Sequence, residues 1–155
     1  MQIKLIAVGQ KMPSWVNEGY HEYAKRLPHE MKLNLIEIPA GKRGKNTDIE
    51  RIIQKEGELS LAASKPQDWA IALDIKGKRF TTETYAKRLQ HHQKEGHNLA
   101  IFIGGPEGLA PACLDRANEN WSLSDFTLPH PLVRIILAEQ IYRAWSLGKG
   151  HPYHK

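Results

Sequence analysis

Short apolar runs alternate along this chain with longer stretches in which apolar residues recur at helical spacing. Ile3 to Val8 is rich in branched side chains and alternates weakly, which predicts a strand that Gly9 ends. Pro13 opens a helix to about Leu27, with Trp15, Tyr20, Tyr23, Ala24 and Leu27 as its stripe and Pro28 as its close. An aromatic stripe of this kind reads as core packing rather than a base-stacking platform. Leu33 to Ile38 is a second strand, ended by Pro39. Thr47 and Glu50 spell the Thr-x-x-Glu capping box of a helix from about Asp48 to Ala63, with Ile49, Ile52, Ile53 and Leu59 on its apolar face. Trp69 to Asp74 is a third strand, followed by a turn at Lys76-Gly77-Lys78. Thr82 caps a helix that reaches Lys94 and stops at Gly96. Leu99 to Ile103 is an all-apolar strand, and Pro111 starts a short helix through about Glu119. Trp121–Leu123 and Thr127-Leu128 read as short extended pieces, and Leu132–Leu147 as the last long helix.

This alternation predicts a single α/β domain over residues 1–155. Ala70–Leu73 and Leu99–Ile103 are apolar throughout, so their sheet is mostly parallel and flanked by helices on both faces. Ligands in such sheets bind beyond the carboxyl ends of the strands, so the loops after Leu73, Ile103 and Leu123 are the candidate site. Two features stand there. Gly104-Gly105-Pro106-Glu107-Gly108 permits close backbone approach to a ligand, although a plain turn would explain the glycines equally well. Pro129-His130-Pro131 cannot lie inside a helix or a central strand and suits a tight loop, with Pro131 near the first helical position.

Composition narrows the picture only a little. The formal charge of +5 is compatible with a polyanion partner without requiring one. Lys42, Arg43 and Lys45, interleaved with Gly41 and Gly44, form either a solvated loop or an arm for phosphates. The single cysteine, Cys113, excludes a disulfide framework and a cysteine zinc site, and makes the cytoplasm the expected compartment. No signal peptide is visible, and no run approaches the roughly 18 apolar residues of a membrane span. His91, His92 and His97 cluster near a helix end. Adjacent histidines diverge on a helix and no carboxylate completes a set, so no metal is expected.

Several chemistries lack their motifs. There is no Gly-x-Gly-x-x-Gly after the first strand, no P-loop and no Gly-x-Ser-x-Gly elbow. Three segments together carry a resemblance instead. They are Ile103-Gly104-Gly105-Pro106-Glu107-Gly108-Leu109, Leu128-Pro129-His130-Pro131-Leu132-Val133-Arg134 and Glu139-Gln140-Ile141-Tyr142-Arg143-Ala144. They resemble the SPOUT methyltransferases. With Ile36 to Gly44 and the terminal His151-Pro152-Tyr153-His154, the chain is similar over essentially its whole length to the bacterial family that methylates N3 of a pseudouridine in 23S rRNA.

That resemblance implies a C-terminal deep trefoil knot over about residues 99–147, a tail at 148–155, and S-adenosylmethionine as cofactor with S-adenosylhomocysteine as product. It places cofactor binding at Leu73, Gly104, Leu123, Ser124, Asp125, Phe126, Thr127 and Leu128, with Asp125 contributing its backbone alone. An adenine ring wants apolar walls, and Leu73, Leu123, Phe126 and Leu128 are of that kind. The resemblance further implies a homodimer, built largely on Leu132–Leu147, in which the tail of one subunit completes the site of the other. His130, Tyr153 and His154 are the expected catalytic group, Tyr153 by stacking on the base and a histidine by taking the N3 proton. Lys42, Arg43, Lys45, Arg134 and Arg143 are the expected RNA contacts, and the 23S rRNA of the assembled 70S ribosome is the expected substrate. A SPOUT enzyme acting on another RNA such as tRNA, or a ribosome-binding protein without catalysis, are the alternatives.

Overall fold

The computed structural model describes residues 1–154; of the tail expected at 148–155, Lys155 lies outside the described residues. Five strands form one sheet: β1 (Gln2–Val8), β2 (Lys32–Ile38), β3 (Trp69–Arg79), β4 (Leu99–Ile103) and β5 (Glu119–Ser122). Their order is β2-β1-β4-β3-β5 and every pairing is parallel. The helices are α1 (Ser14–Ala24), α2 (Ile49–Ala63), α3 (Thr82–Lys94), α4 (Pro111–Arg116) and α5 (His130–Gly148).

The two-residue period of a strand decides which side chains face which layer. Ile3, Leu5 and Ala7 of β1 point to one side with Ile71, Leu99, Ile101 and Ile103, and there meet Tyr20 of α1, Leu89 of α3 and Leu137 and Ile141 of α5. Ile6 and Val8 point to the other side with Ala70, Ala100 and Phe102, and pack near Ile53 of α2 and Cys113 of α4. The result is a three-layer α/β domain whose central strands, β1 and β4, are buried on both faces. That burial is why they read as unbroken apolar runs.

Several boundaries differ from the sequence expectation, each for a local reason. Asp48, not Thr47, caps α2 by accepting from the Arg51 N–H at 3.3 Å. Thr47 instead turns its hydroxyl back to accept from the Gly44 N–H. Thr81, not Thr82, caps α3, in a reciprocal box with Thr84. Helix α4 stops at Arg116, because Glu119 already begins β5. Residues Thr127 and Leu128 join no strand, and His130 is the first residue of α5 rather than part of the preceding loop. Pro131 sits in the first turn, where its missing N–H has no partner to lose.

The largest difference is in β3. Lys76-Gly77-Lys78 is not a terminating turn. Leu73 pairs with Trp121, the chain makes an excursion, and Lys78 pairs with Trp121 again. A methyl group placed on Gly77 would come within 2.6 Å of the Trp121 backbone, so only glycine lets the excursion lie this close to β5.

Candidate functional site

Beyond the carboxyl ends of β3, β4 and β5 lies an open cavity of about 660 Å³. Three backbone segments wall it. The β3 excursion supplies Leu73, Asp74 and Ile75; the loop after β4 supplies Gly104 to Leu109; and the connection from β5 to α5 supplies Leu123, Ser124 and Phe126 to Pro129. The buried Trp121 also contributes to the lining, while Phe126 is 81% exposed at the lip. His130 and Val133, from the first turn of α5, complete it.

Seven positions expected to hold the cofactor line this one cavity: Leu73, Gly104, Leu123, Ser124, Phe126, Thr127 and Leu128. Asp125 does not. Its exposed carboxylate is an ion-pair partner of Arg79. Sequence reasoning passed over Asp74, Ile75, Glu107, Leu109 and Trp121, although Asp74 and Ile75 lie in the loop after Leu73 that it singled out.

The loop after β4 is held in a narrow hairpin. The Gly108 N–H donates to the Gly105 carbonyl at 3.0 Å, with Gly108 in the left-handed region at φ +87°. A methyl on Gly104 would stand 2.5 Å from the Gly108 carbonyl carbon. The hairpin is therefore closed against its own backbone at Gly104, with Pro106 and Glu107 carrying its side chains into the cavity lining. On the opposite wall, the Ser124 hydroxyl accepts from the Phe126 N–H at 2.9 Å and sets the turn that carries Phe126 outward.

Arg43 reaches this hairpin from the β2–α2 loop. Its Nη2 and Nε donate to the Glu107 carboxylate, the shortest contact being 2.6 Å. The same guanidinium donates to the buried Glu56, at 3.0 Å from Nη1, and to the Gly41 carbonyl at 2.8 Å. Hydrogen bonds from Arg43 hold the Glu107 carboxyl below its ordinary range. Of the three cations expected to meet RNA in this loop, Arg43 is thus committed internally, whereas Lys42 and Lys45 are exposed.

Arg134 is a correction of another kind. It is fully buried, donating from Nη2 to the Gly9 carbonyl at 2.8 Å and from Nη1 to Glu37 at 2.7 Å. A guanidinium enclosed in this way cannot contact phosphate; it joins α5 to the ends of β1 and β2. Arg143 is half-buried and donates to Glu139 at 2.8 Å, one turn earlier on α5.

His130 borders both the cavity and this buried arginine: a methyl on Gly9 would lie 3.7 Å from His130 Nε2 and 3.4 Å from Arg134 Nη2. Burial, and then the positive charges of Arg134 and Arg43, push its pKa down and favour the neutral ring. Tyr153 and His154 do not join it. The Tyr153 hydroxyl donates to Glu139 at 3.0 Å beneath the Arg143 guanidinium, and the ring packs edge-on to Tyr142. Burial, then the hydrogen bond to Glu139, pushes the phenol up to about 12, so it stays protonated at neutral pH. His154 lies 3.6 Å from Glu83. Within one protomer, the expected catalytic group is therefore divided: His130 lines the cavity, while Tyr153 contacts α5 and His154 contacts α3.

The histidine cluster is also organised differently from expectation. His91 is exposed, but the His92 and His97 rings converge, Nδ1 to Nδ1, at 3.0 Å. A carboxylate does arrive, from β5, as His92 Nε2 meets Glu119 at 2.9 Å. Glu119 further accepts from the Trp69 and Trp121 indoles and from Arg88, so this is a hydrogen-bonded network at the opposite end of the strands. Among the described residues no group of three or more potential ligands is placed to hold a metal, and no helix is long and apolar enough to cross a membrane.

Comparison with known proteins bears on the fold and the family. The chain resembles a protein from Neisseria gonorrhoeae assigned provisionally to the methylase family, at 13% identity and a TM-score of 0.53, over 90% of this chain and 81% of that one. It also resembles a probable methylase family protein from Haemophilus influenzae, at 12% identity and a TM-score of 0.56, over 99% of this chain and 70% of that one. At such identities the likeness speaks for the fold alone. A family model described as "Predicted SPOUT methyltransferase" matches residues 1–154, and methyltransferases of that family draw on S-adenosylmethionine. With that match over nearly its whole length, the chain belongs to the SPOUT methyltransferase family.

Proposed function

We propose that this protein methylates N3 of a pseudouridine in the 23S rRNA of the assembled 70S ribosome, acting as a cytoplasmic homodimer with S-adenosylmethionine as donor. The observation that carries the reading is the convergence of Leu73, Gly104, Leu123, Ser124, Phe126, Thr127 and Leu128 on one cavity at the carboxyl ends of the strands. The cavity fits the cofactor on structural grounds. Leu73, Leu123 and Leu128 offer apolar walls for a flat ring, and at Gly104 the wall is bare main chain, because a side chain there would clash with the Gly108 backbone. The trefoil knot expected of the family would thread residues 99–147 around this same cavity.

When bound, the cofactor supplies an electrophilic methyl group. The chain supplies the rest. His130, biased toward its neutral form beside the cavity, would accept the N3 proton. Much of the acceleration would come from the chain holding the target base fixed against the cavity. Tyr153 and His154 belong to the site of the other subunit in this reading. Tyr153 lies against Glu139 of α5, the helix on which the dimer would be built, and His154 lies beside Glu83 of α3, so both sit away from their own protomer's cavity. Exposed Lys42 and Lys45 meet the phosphate backbone.

The test is methyl transfer from labelled S-adenosylmethionine to ribosomes from a strain lacking this enzyme, with the product nucleotide mapped by mass spectrometry. Label on N3 of a 23S pseudouridine is the expected result. Label on tRNA alone would move the target; no label and no cofactor binding would leave a non-catalytic ribosome-binding protein.

A further inference from the structure

We infer that Arg43 is a positioning residue for the cofactor hairpin, a clamp that fixes Gly104–Gly108 against α2 and cancels the charge of Glu107 in the cavity wall. The inference rests on the proposed cofactor site but makes its own claim about the apo protein.

The geometry is specific. Glu56, in α2, is buried, and its carboxylate is satisfied by Arg43 and by the Gly41 N–H at 3.1 Å. Arg43 is therefore anchored on one side to a residue in the helical layer. Its other side holds Glu107 through three contacts of 2.6 to 3.0 Å. Glu107 is the one carboxylate carried by the hairpin, and it lines the cavity. A planar guanidinium can engage two carboxylates at once with defined geometry, which a lysine ammonium does not reproduce. The hairpin lacks other side-chain anchors among the hydrogen bonds of the described residues, so this bridge is its hydrogen-bonded tie to the helical layer.

The charge has a chemical consequence. The methyl donor carries a sulfonium cation, whereas the demethylated product is a neutral thioether. An unpaired Glu107 carboxylate would attract the first and not the second. Arg43 thereby keeps the cavity from favouring the cation through Glu107, and it holds the hairpin in place for either ligand.

The experiment compares Arg43→Gln, Arg43→Lys, Glu107→Gln and the Arg43→Gln/Glu107→Gln pair with the wild type. Amide hydrogen exchange is read at Gly104, Gly105, Glu107 and Gly108 of the cofactor-free protein. Calorimetry gives the affinities for S-adenosylmethionine and S-adenosylhomocysteine. Arg43→Gln is expected to speed exchange in the hairpin and to weaken the neutral product by about tenfold, a typical effect of losing a charge-assisted bidentate contact. The donor weakens less, because Glu107 is uncovered, and the double variant restores the wild-type ratio of the two affinities. Glu107→Gln leaves the Arg43–Glu56 bridge intact, so it reads the hairpin even if Arg43→Gln compromises folding. Arg43→Lys is expected to recover the ratio but not the exchange protection. Unchanged exchange and affinities in Arg43→Gln and Glu107→Gln, with only RNA binding impaired, would overturn the clamp in favour of a phosphate contact. Faster hairpin exchange in a protein whose wild type binds neither ligand would uphold the clamp and remove the proposed function.

Discussion

Arg134 Nη2 donates to the carbonyl oxygen of Gly9 at 2.8 Å, closing 125 residues of chain with one buried hydrogen bond. Its Nη1 holds Glu37 near the end of β2, so one side chain joins three elements beneath the α5 turn that carries His130. Replacing Arg134 by Met should strand the Gly9 carbonyl and lower stability by about 3 kcal/mol. Arg134→Lys should recover part of this loss. Urea denaturation reads it directly; an unchanged midpoint would mean that the bond contributes nothing net.

At the opposite end of the strands, Glu119 gives the protein an acid-sensitive element. Burial alone would raise its pKa, but hydrogen bonds from His92, Arg88, Trp121 and Trp69 outweigh that and hold the carboxyl far below its usual range. A depressed carboxyl contributes stability that is present above the unfolded value, about 4.3, and is lost as pH falls through the folded one. Wild-type stability should therefore decline below about pH 4, and Glu119→Gln should flatten that decline while lowering stability at neutral pH. Parallel slopes in the two proteins would refute the assignment.

Gly104→Ala tests the closed hairpin. The added methyl meets the Gly108 backbone at 2.5 Å, so the hairpin must open. Cofactor affinity should fall by at least about tenfold, while the overpacking costs roughly 1–3 kcal/mol of stability. Wild-type affinity in the variant would show that the hairpin is not part of the cofactor site.

His130 predicts the pH profile of methyl transfer. Because its pKa is pushed down, the neutral base persists below the ordinary histidine value, and the acid limb of kcat should lie under about pH 6.5. His130→Gln should remove that limb and lower kcat by about a hundredfold. A limb that survives the substitution would assign the proton transfer elsewhere.

Lys42 and Lys45 are the exposed cations of the β2–α2 loop. Reversing both to Glu should weaken ribosome binding and flatten its salt dependence by close to two counterions, since each phosphate contact adds about 0.9 to the slope. An unchanged slope would free this loop from any role with RNA.

Much of the scaffold could be read from the chain because its strands are buried on both faces. Ala70–Leu73 and Leu99–Ile103 carry no polar position, and a parallel sheet with two helical layers follows from that alone. What could not be read are choices made by distant partners. Lys76-Gly77-Lys78 has the composition of a turn, and only the Trp121 backbone beneath Gly77 turns it into a strand excursion. Arg43 and Arg134 look in sequence like any cations beside a basic or apolar run. Their partners, Glu107 and Gly9, lie 64 and 125 residues away, so nothing local marks them as internal ties. Thr47 and Asp48 are both competent caps, and the competing Gly44 N–H decides between them.

The sheet order carries a consequence for biosynthesis. β1 emerges first and finds β2 soon after, but its other neighbour, β4, pairs Leu99 with Ile3. At typical translation speeds of 5–20 residues per second, the roughly 60 residues between β2 and β4 take about 3 to 12 seconds to synthesise. During that interval, the nascent chain offers one open, apolar strand edge and no finished core to cover it. Such an edge is a template for pairing with other chains. This small domain is therefore one whose need for a chaperone should be greatest before β4 emerges to cover that edge.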